Sequence, residues 1–279
     1  MAGDDLVEQI AVAGEQAVQH PWFELFARSG YAAKGVVYLL AGTLSALAAI
    51  GLRRKAASSV NALEEVFTGS IGYVALLAMA VGLAGYALLR LMQALLDLER
   101  KGSGLKGLII RAAFVGSAVF YAGLAFATLR LAFGDRNVPE NQEQGWVAWA
   151  FGLPLGNWLI GIIGAIVIGV GFWQGYLAYR ARFNERFCWD TMSDSEQRWT
   201  TRIGRAGLVA RGIVLALIGG FLLEAALLVD ASKVENSAEA VQSLAGPFGW
   251  WAVAIVAAGL AAYGVYLFAA ARYCKIAPE

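Results

Sequence analysis

The chain has 279 residues, of which 59% are hydrophobic and 15% are charged, and its formal net charge is +1. So few polar side chains cannot cover the surface of a water-soluble globule of this length, and the composition therefore indicates an integral membrane protein. The basic residues are spread over several short segments and are not gathered on one domain, which argues against binding to nucleic acid.

The first segment, residues 1–21, is acidic and at best weakly amphipathic. It lacks the pattern of a cleaved secretory signal, in which a basic start precedes an apolar core. We expect a cytoplasmic tail here, followed by a first spanning helix that serves as an uncleaved insertion signal.

Repeat 1, residues 22–100, contains two uncharged stretches at about 35–52 and 71–89. Even 18 helical residues, at a rise of ~1.5 Å each, cover about 27 Å, which is close to the roughly 30 Å of the hydrocarbon core. Between the two stretches lie a short amphipathic segment and a glycine-containing turn at 69–72, which ends the external segment and starts the return helix.

The rest of the chain repeats this order twice, from a basic residue through a span, a short external segment and a Gly- or Pro-containing turn to a return span. The two further units are repeat 2, residues 101–187 with spans at about 112–129 and 157–179, and repeat 3, residues 188–279 with spans at about 212–229 and 249–271. The sequence therefore predicts an all-α integral membrane protein with six transmembrane helices in three hairpins.

One block of sequence recurs within these units. Residues 27–42 return at an offset of 177 as residues 204–219, and a looser copy at an offset of 77 has Ala112 in the position of a glycine. Four residues are identical in the two outer copies: Arg28 and Arg205, Gly30 and Gly207, Gly35 and Gly212, Gly42 and Gly219.

The repeated unit also predicts the symmetry and the orientation of the bundle. A two-span unit begins and ends on one side of the membrane, so the three copies are predicted to lie parallel around a pseudo-three-fold axis, unlike the inverted repeats of many secondary transporters. Of the Lys and Arg residues, 16 fall in the tails and the even-numbered connections and 6 in the other connections. Because basic residues stay on the cytoplasmic side, both termini are predicted to be cytoplasmic.

The repeated blocks, together with Gly82 and Tyr86 and their echoes Gly259 and Tyr263, resemble the bacterial membrane family catalogued as domain of unknown function 1206. The resemblance extends over residues 22–276. It implies three tandem pairs of transmembrane helices in a bacterial inner membrane. It transfers no catalytic residue, because the family is catalogued without an activity.

Three equivalent basic residues precede the first span of each repeat: Lys34, Arg111 and Arg211. A three-fold arrangement would point them at one axis, where they could bind an anionic headgroup or a phosphate. The alternative is that each residue marks the start of its span and extends to the interface.

Glu224 is a charge inside the fifth span, about 9 Å from its outer end at ~1.5 Å per residue. Ionisable residues within a span are candidate functional sites. Three explanations remain open: a protonated, hydrogen-bonded carboxyl, an ion pair with Arg130, or contact with a partner or a transported cation.

The fourth span carries a stripe of small residues that would let helices or partner subunits approach closely. The stripe comprises Gly161, Ala165, Gly169, Gly171 and Gly175.

No pattern indicates catalysis, a cofactor or a metal site. His20 is the only histidine, and Cys188 and Cys274 lack a metal-ligand spacing and are predicted to be reduced. We therefore favour a non-catalytic structural or interaction protein whose partners are membrane lipids or another membrane protein complex. The alternative is a channel or small-solute transporter that uses the three-fold axis and Glu224.

Overall fold

A computed structural model describes residues 21–52, 59–67, 69–95, 104–135, 142–181, 183, 187 and 191–273. The predicted tail as far as residue 20, including His20, and both cysteines lie outside the described residues. The predictions made for them therefore stay predictions.

Six long helices dominate the described part of the chain, and each is long and apolar enough to cross a membrane. They are α1 (Pro21–Ala49), α3 (Gly69–Leu95), α4 (Leu105–Ala132), α6 (Gly156–Arg180), α7 (Asp194–Leu228) and α10 (Trp250–Tyr273). Four short helices occupy the connections between them: α2 (Ser59–Val66), α5 (Gln142–Phe151), α8 (Ser237–Ser243) and α9 (Ala245–Phe248). The predicted six-span, all-helical architecture is confirmed at this level.

The first helix of each repeat begins upstream of its predicted span. Helix α1 already begins at Pro21, a residue whose fixed φ suits the first turn of a helix. Helix α7 begins at Asp194, where the Ser193 side chain and Glu196 form a reciprocal capping box. Lys34 and Arg211 therefore lie inside their helices and not at the helix starts.

The long helices pack in a cyclic order. The three most extensive interfaces join α3 to α4, α6 to α7 and α10 to α1, so each connects the second helix of one repeat to the first helix of the next. Within repeats 1 and 3 the two long helices also pack together, α1 on α3 and α7 on α10. Helices α4 and α6 of repeat 2 share no extensive interface among the described residues.

The repeated glycines lie where helix backbones approach most closely. A Cβ atom on Gly35 would come within 3.0 Å of the Gly264 carbonyl oxygen in α10, and one on Gly42 within 2.4 Å of the Ala261 nitrogen. Such close approach is how helices associate in lipid, where burial of apolar surface supplies little drive. The equivalent glycines of repeat 3 make the equivalent approach to α6, Gly212 to Gly171 and Gly219 to Gly164.

The predicted small-residue stripe of α6 is divided between two environments. Gly171 packs against α7. A Cβ atom placed on Gly161 would lie 3.6 Å from the Cβ atom of Ala226, which is also in α7. Ala165 is exposed, and nothing lies within 4 Å of a Cβ placed on Gly169 or Gly175. The stripe is thus only partly an interface within the bundle, because the helix turns by 100° per residue and these positions do not all face α7.

Candidate functional site

Lys34 is buried inside the bundle, and only 2% of the residue is exposed. Its Nζ donates a hydrogen bond of 3.0 Å to the Tyr86 hydroxyl of α3. The same nitrogen lies 4.6 Å from the ring centroid of Tyr86 and 4.8 Å from that of Tyr121 in α4. Aromatic faces attract a cation, so the two rings offset part of the cost of burying the ammonium group.

A second cation contacts the same tyrosine. Arg90, one turn after Tyr86 in α3, donates to the Tyr86 hydroxyl from Nε at 2.9 Å and from Nη2 at 2.6 Å. Its Nη1 donates to Gln93 Oε1 at 2.9 Å. One hydroxyl oxygen thus accepts hydrogen bonds from both Lys34 and Arg90.

A third cation, Arg211 of α7, is held by three other helices. Its Nε lies 3.2 Å from the Tyr38 hydroxyl of α1, and its Nη1 lies 3.2 Å from Gln174 Oε1 of α6 and 3.4 Å from the Tyr263 hydroxyl of α10. Gln174 is buried at this point, on the face of α6 that packs against α7.

These two groups of contacts form one cluster, because Lys34 and Arg211 share two rings. The Lys34 Nζ lies 5.9 Å from the Tyr38 centroid and 5.8 Å from the Tyr263 centroid. The Arg211 Cζ lies 5.9 Å and 5.3 Å from the same two centroids. We call this group the cationic tyrosine cluster, and it comprises Lys34, Tyr38, Tyr86, Arg90, Tyr121, Gln174, Arg211 and Tyr263.

Every one of the six long helices contributes to the cluster. The contributions are Lys34 and Tyr38 from α1, Tyr86 and Arg90 from α3, Tyr121 from α4, Gln174 from α6, Arg211 from α7, and Tyr263 from α10. The cluster is therefore the point at which all the predicted spans meet.

The cluster carries three cationic side chains, and no acidic side chain among the described residues forms an ion pair or hydrogen bond with any of them. Burying charge without an opposite charge is costly, and hydroxyl oxygens and aromatic faces compensate only partly. The arrangement therefore suits an anion, which would supply the opposite charge and accept hydrogen bonds from the remaining N–H groups.

Arg111, the third member of the predicted basic ring, lies elsewhere. Its guanidinium donates to the last carbonyl groups of α3, from Nε to Ala94 at 2.6 Å and from Nη2 to Leu95 at 3.2 Å. Carbonyl groups at a helix C-terminus have no partner within the helix, so a nearby arginine binds them readily. Arg28 contacts the end of α10 in the same way, through the carbonyls of Ala271 and Arg272.

Glu224 and Arg130, the other predicted pair, have separate partners. Arg130 forms an ion pair of 2.5 Å with Asp135, just beyond the end of α4. Glu224 lies 4.0 Å from the Lys233 Nζ in a short 3₁₀ turn, and its side chain is about half exposed. The pairing of Glu224 with Arg130 is replaced by these two local contacts, because α4 and α7 do not pack extensively on each other.

Most of the cluster was not predicted from the sequence, namely Arg90, Gln174 and the four tyrosines. One signal was available: Tyr86 and Tyr263 repeat at the same offset of 177 as Lys34 and Arg211. A basic residue and a tyrosine that repeat together in facing helices indicate a shared contact. Among the described residues, no group of three or more His, Cys, Asp or Glu side chains is placed to hold a metal ion.

Six apolar helices, built from a repeated two-helix unit and joined at a buried cationic cluster, define a multi-pass membrane protein. The chain belongs to the family Domain of Unknown Function (DUF1206), whose model matches three times, at residues 29–97, 112–181 and 206–274. The resemblance inferred from the repeated block is thereby confirmed.

One relative is the "Uncharacterized protein YxxB" of Bacillus subtilis (strain 168). It is 34% identical to this chain over 247 residues, which cover 88% of this chain and 89% of the relative. No solved structure matches the chain.

Proposed function

We propose that the protein is a non-catalytic protein of the bacterial inner membrane that binds an anionic ligand at the cationic tyrosine cluster. The observation that carries this proposal is the convergence of Lys34, Arg90 and Arg211 in the bundle interior with no acidic partner among the described residues. A bound anion would remove the cost of that uncompensated charge.

The chemistry of the donors favours an oxyanion such as a phosphate group. Lys34 uses one of its three N–H donors on Tyr86, and the two guanidinium groups add planar donor sets that match phosphate or carboxylate oxygens. None of the cluster residues is a histidine or a carboxylate, the side chains that most often act as general bases.

The cyclic packing supports the predicted pseudo-three-fold arrangement. The pairs α3–α4, α6–α7 and α10–α1 would be equivalent under such a rotation. With both termini in the cytoplasm, as the positions of Lys and Arg favour, the cluster is nearer to the cytoplasmic leaflet.

Binding of anions to the purified protein tests the proposal. Calorimetric titrations of detergent-solubilised protein with inorganic phosphate and with dispersed phosphatidylglycerol should show saturable binding of at least one of them. Loss of a charged hydrogen bond in Arg211→Gln should weaken binding by about tenfold or more. The matched control is Arg111→Gln, which removes the same charge outside the cluster and should leave the affinity unchanged.

Equal effects of Arg211→Gln and Arg111→Gln would contradict the assignment of the site. Absence of binding of either anion to the unmodified protein would contradict the proposed function itself.

A second candidate is an anion channel or transporter along the same axis. The contribution of all six long helices to one cationic cluster favours this second candidate. In it the cluster, and not Glu224, is the site of the transported ion, because Glu224 lies away from the cluster. Burial of Tyr86 and Tyr121 favours the binding protein, because buried rings beside the cations leave less room for a hydrated ion. Chloride flux into proteoliposomes above that of protein-free vesicles, and its loss in Arg211→Gln, would support transport.

A further inference from the structure

Among the described residues, the ring of long helices lacks an extensive contact at one place, between the two helices of repeat 2. The other five neighbouring pairs in the cyclic order pack on each other, whereas α4 and α6 share no extensive interface among the described residues. Over an apolar stretch of 18 residues in each long helix, 22% of the residues are buried in α4 and in α6, whereas 33% to 44% are buried in the other four long helices. We call the space between α4 and α6 the lateral opening.

The cationic tyrosine cluster lies at the inner end of this opening. Tyr121 from α4 contacts Lys34, and Gln174 from α6 contacts Arg211, so each helix that borders the opening contributes one residue to the cluster. A ligand between α4 and α6 would therefore meet cations held from both sides.

The exposed surface next to the cluster is apolar on both α4 and α6. Phe120 is 54% exposed, and its ring lies edge-on to Tyr121 with the centroids 5.2 Å apart. On α6, the exposed Trp173 directly precedes Gln174. On α4, aromatic rings thus lead from the exposed surface to the cluster, and this surface suits hydrocarbon better than a hydrated ion.

The depth of the cluster fits a headgroup drawn in from one leaflet. Lys34 lies seven residues inside the apolar span that starts at Ala27, or about 10 Å at ~1.5 Å per residue. Arg90 lies five residues before the end of α3 at Leu95, or about 8 Å. Both counts run from the same side of the membrane, because α1 begins where α3 ends.

We propose that the anionic ligand is a phospholipid that enters through the lateral opening. Its phosphate lies against Lys34, Arg90 and Arg211, and its acyl chains occupy the space between α4 and α6. This inference rests on the proposed function and names the ligand class and its route. Charge complementarity identifies the occupant, since a cationic site below the interface binds an anionic headgroup.

Photocrosslinking at the edge of the opening tests the route. The photoreactive residue p-benzoyl-phenylalanine replaces Phe120 with little change of shape, and the protein is placed in nanodiscs that contain labelled phosphatidylglycerol in phosphatidylcholine. The control position is Ile255 of α10, which is 63% exposed and faces surrounding lipid. Crosslinking of the label is expected at both positions.

The decisive comparison adds a substitution in the cluster. Lys34→Met shortens the side chain by one atom and removes its charge, and Tyr86 keeps its hydrogen bonds from Arg90. With about 1 kcal/mol of headgroup attraction lost per basic residue, crosslinking at position 120 should fall about fivefold, and at position 255 it should not change. Arg90→Gln gives the same test if Lys34→Met does not yield monodisperse protein.

The outcomes separate this inference from the proposed function. Equal crosslinking at position 120 with and without the cluster substitution overturns the lateral route. Saturable binding of inorganic phosphate that depends on Arg211, with no binding of phosphatidylglycerol, overturns the lipid and leaves the anion site in place. If neither anion binds, both proposals fail.

Discussion

The outer repeats and the middle repeat use the same two-helix unit in different ways. In repeats 1 and 3 the first helix carries glycines that touch backbone in the preceding unit, as Gly42 does with Ala261 and Gly219 with Gly164. In repeat 2, by contrast, nothing lies within 4 Å of a Cβ placed on Gly116 or Gly123 of α4. Gly42 and Gly219 thus mark helix interfaces, whereas Gly116 and Gly123 do not.

This difference also explains where the bundle opens. The outer repeats each pack their two long helices together, and the glycines Gly30 and Gly207 allow that contact through close approach to Tyr86 and Tyr263. Among the described residues, the two long helices of the middle repeat pack extensively on the neighbouring repeats, α4 on α3 and α6 on α7, but not on each other. The opening lies in the repeat that departs most from the common sequence.

The largest effect is expected where a side chain would separate two backbones. Gly42→Leu should lower the free energy of unfolding by about 3 kcal/mol, because α1 and α10 must move apart to admit it. The matched change in the middle repeat, Gly123→Leu, should alter stability by less than about 1 kcal/mol. Unfolding by sodium dodecyl sulfate in mixed micelles measures both, and similar losses for the two variants would contradict the comparison.

A smaller effect should distinguish the two equivalent tyrosines. Tyr86→Phe removes the hydroxyl that accepts from both Lys34 and Arg90, and should cost about 2 kcal/mol, since two buried cations lose an acceptor. Tyr263→Phe removes one longer contact with Arg211 and should cost about 1 kcal/mol or less. The same unfolding titration in ligand-free micelles measures both costs, and a larger loss for Tyr263→Phe would contradict the described hydrogen bonds.

The smallest effect concerns the segment between the two spans of repeat 3. Partial burial raises the pKa of Glu235 above its ordinary value of 4.5, and the neighbouring Glu239 and Glu224 raise it further. The folded protein then holds a proton that the unfolded chain releases, so stability falls as the pH rises through the interval between the two pKa values.

Glu235→Gln should remove this fall, which solvent screening limits to about 0.5 kcal/mol. Unfolding titrations at pH 4 to pH 8, with Glu64→Gln in the external segment of repeat 1 as the control, measure the effect. An unchanged pH dependence in Glu235→Gln would contradict the assignment.

The fold was largely predictable because length and hydropathy determine which segments can cross a bilayer. The predicted turns also lie where the return helices begin, and both Leu155 and Gly249 adopt positive φ there. The starts of α1 and α7 were missed, because charged residues such as Glu24, Arg28 and Arg205 interrupt the apolar stretches there. Capping by Ser193, and not hydropathy, determines where α7 begins.

The site was predictable only in part. Lys34 and Arg211 were identified because they repeat. Equivalence in sequence also suggested Arg111, but its guanidinium binds a carbonyl group at the C-terminal end of α3 instead. Arg90 was assigned to a connection because it follows a span. Its role depends on Tyr86 one turn earlier and on Lys34 in another helix, and such a contact between helices leaves little trace in the pattern of a single segment.

The length of α7 gives the cluster a mechanical connection to one end of the molecule. This helix has 35 residues, more than a bilayer requires, and Arg211 lies 18 residues from its cap at Ser193. At ~1.5 Å per residue the two points are about 27 Å apart, so a tilt of about 5° around Arg211 displaces the capped end by about 2 Å. A small adjustment at Arg211 would therefore become a larger displacement at the capped end of the helix.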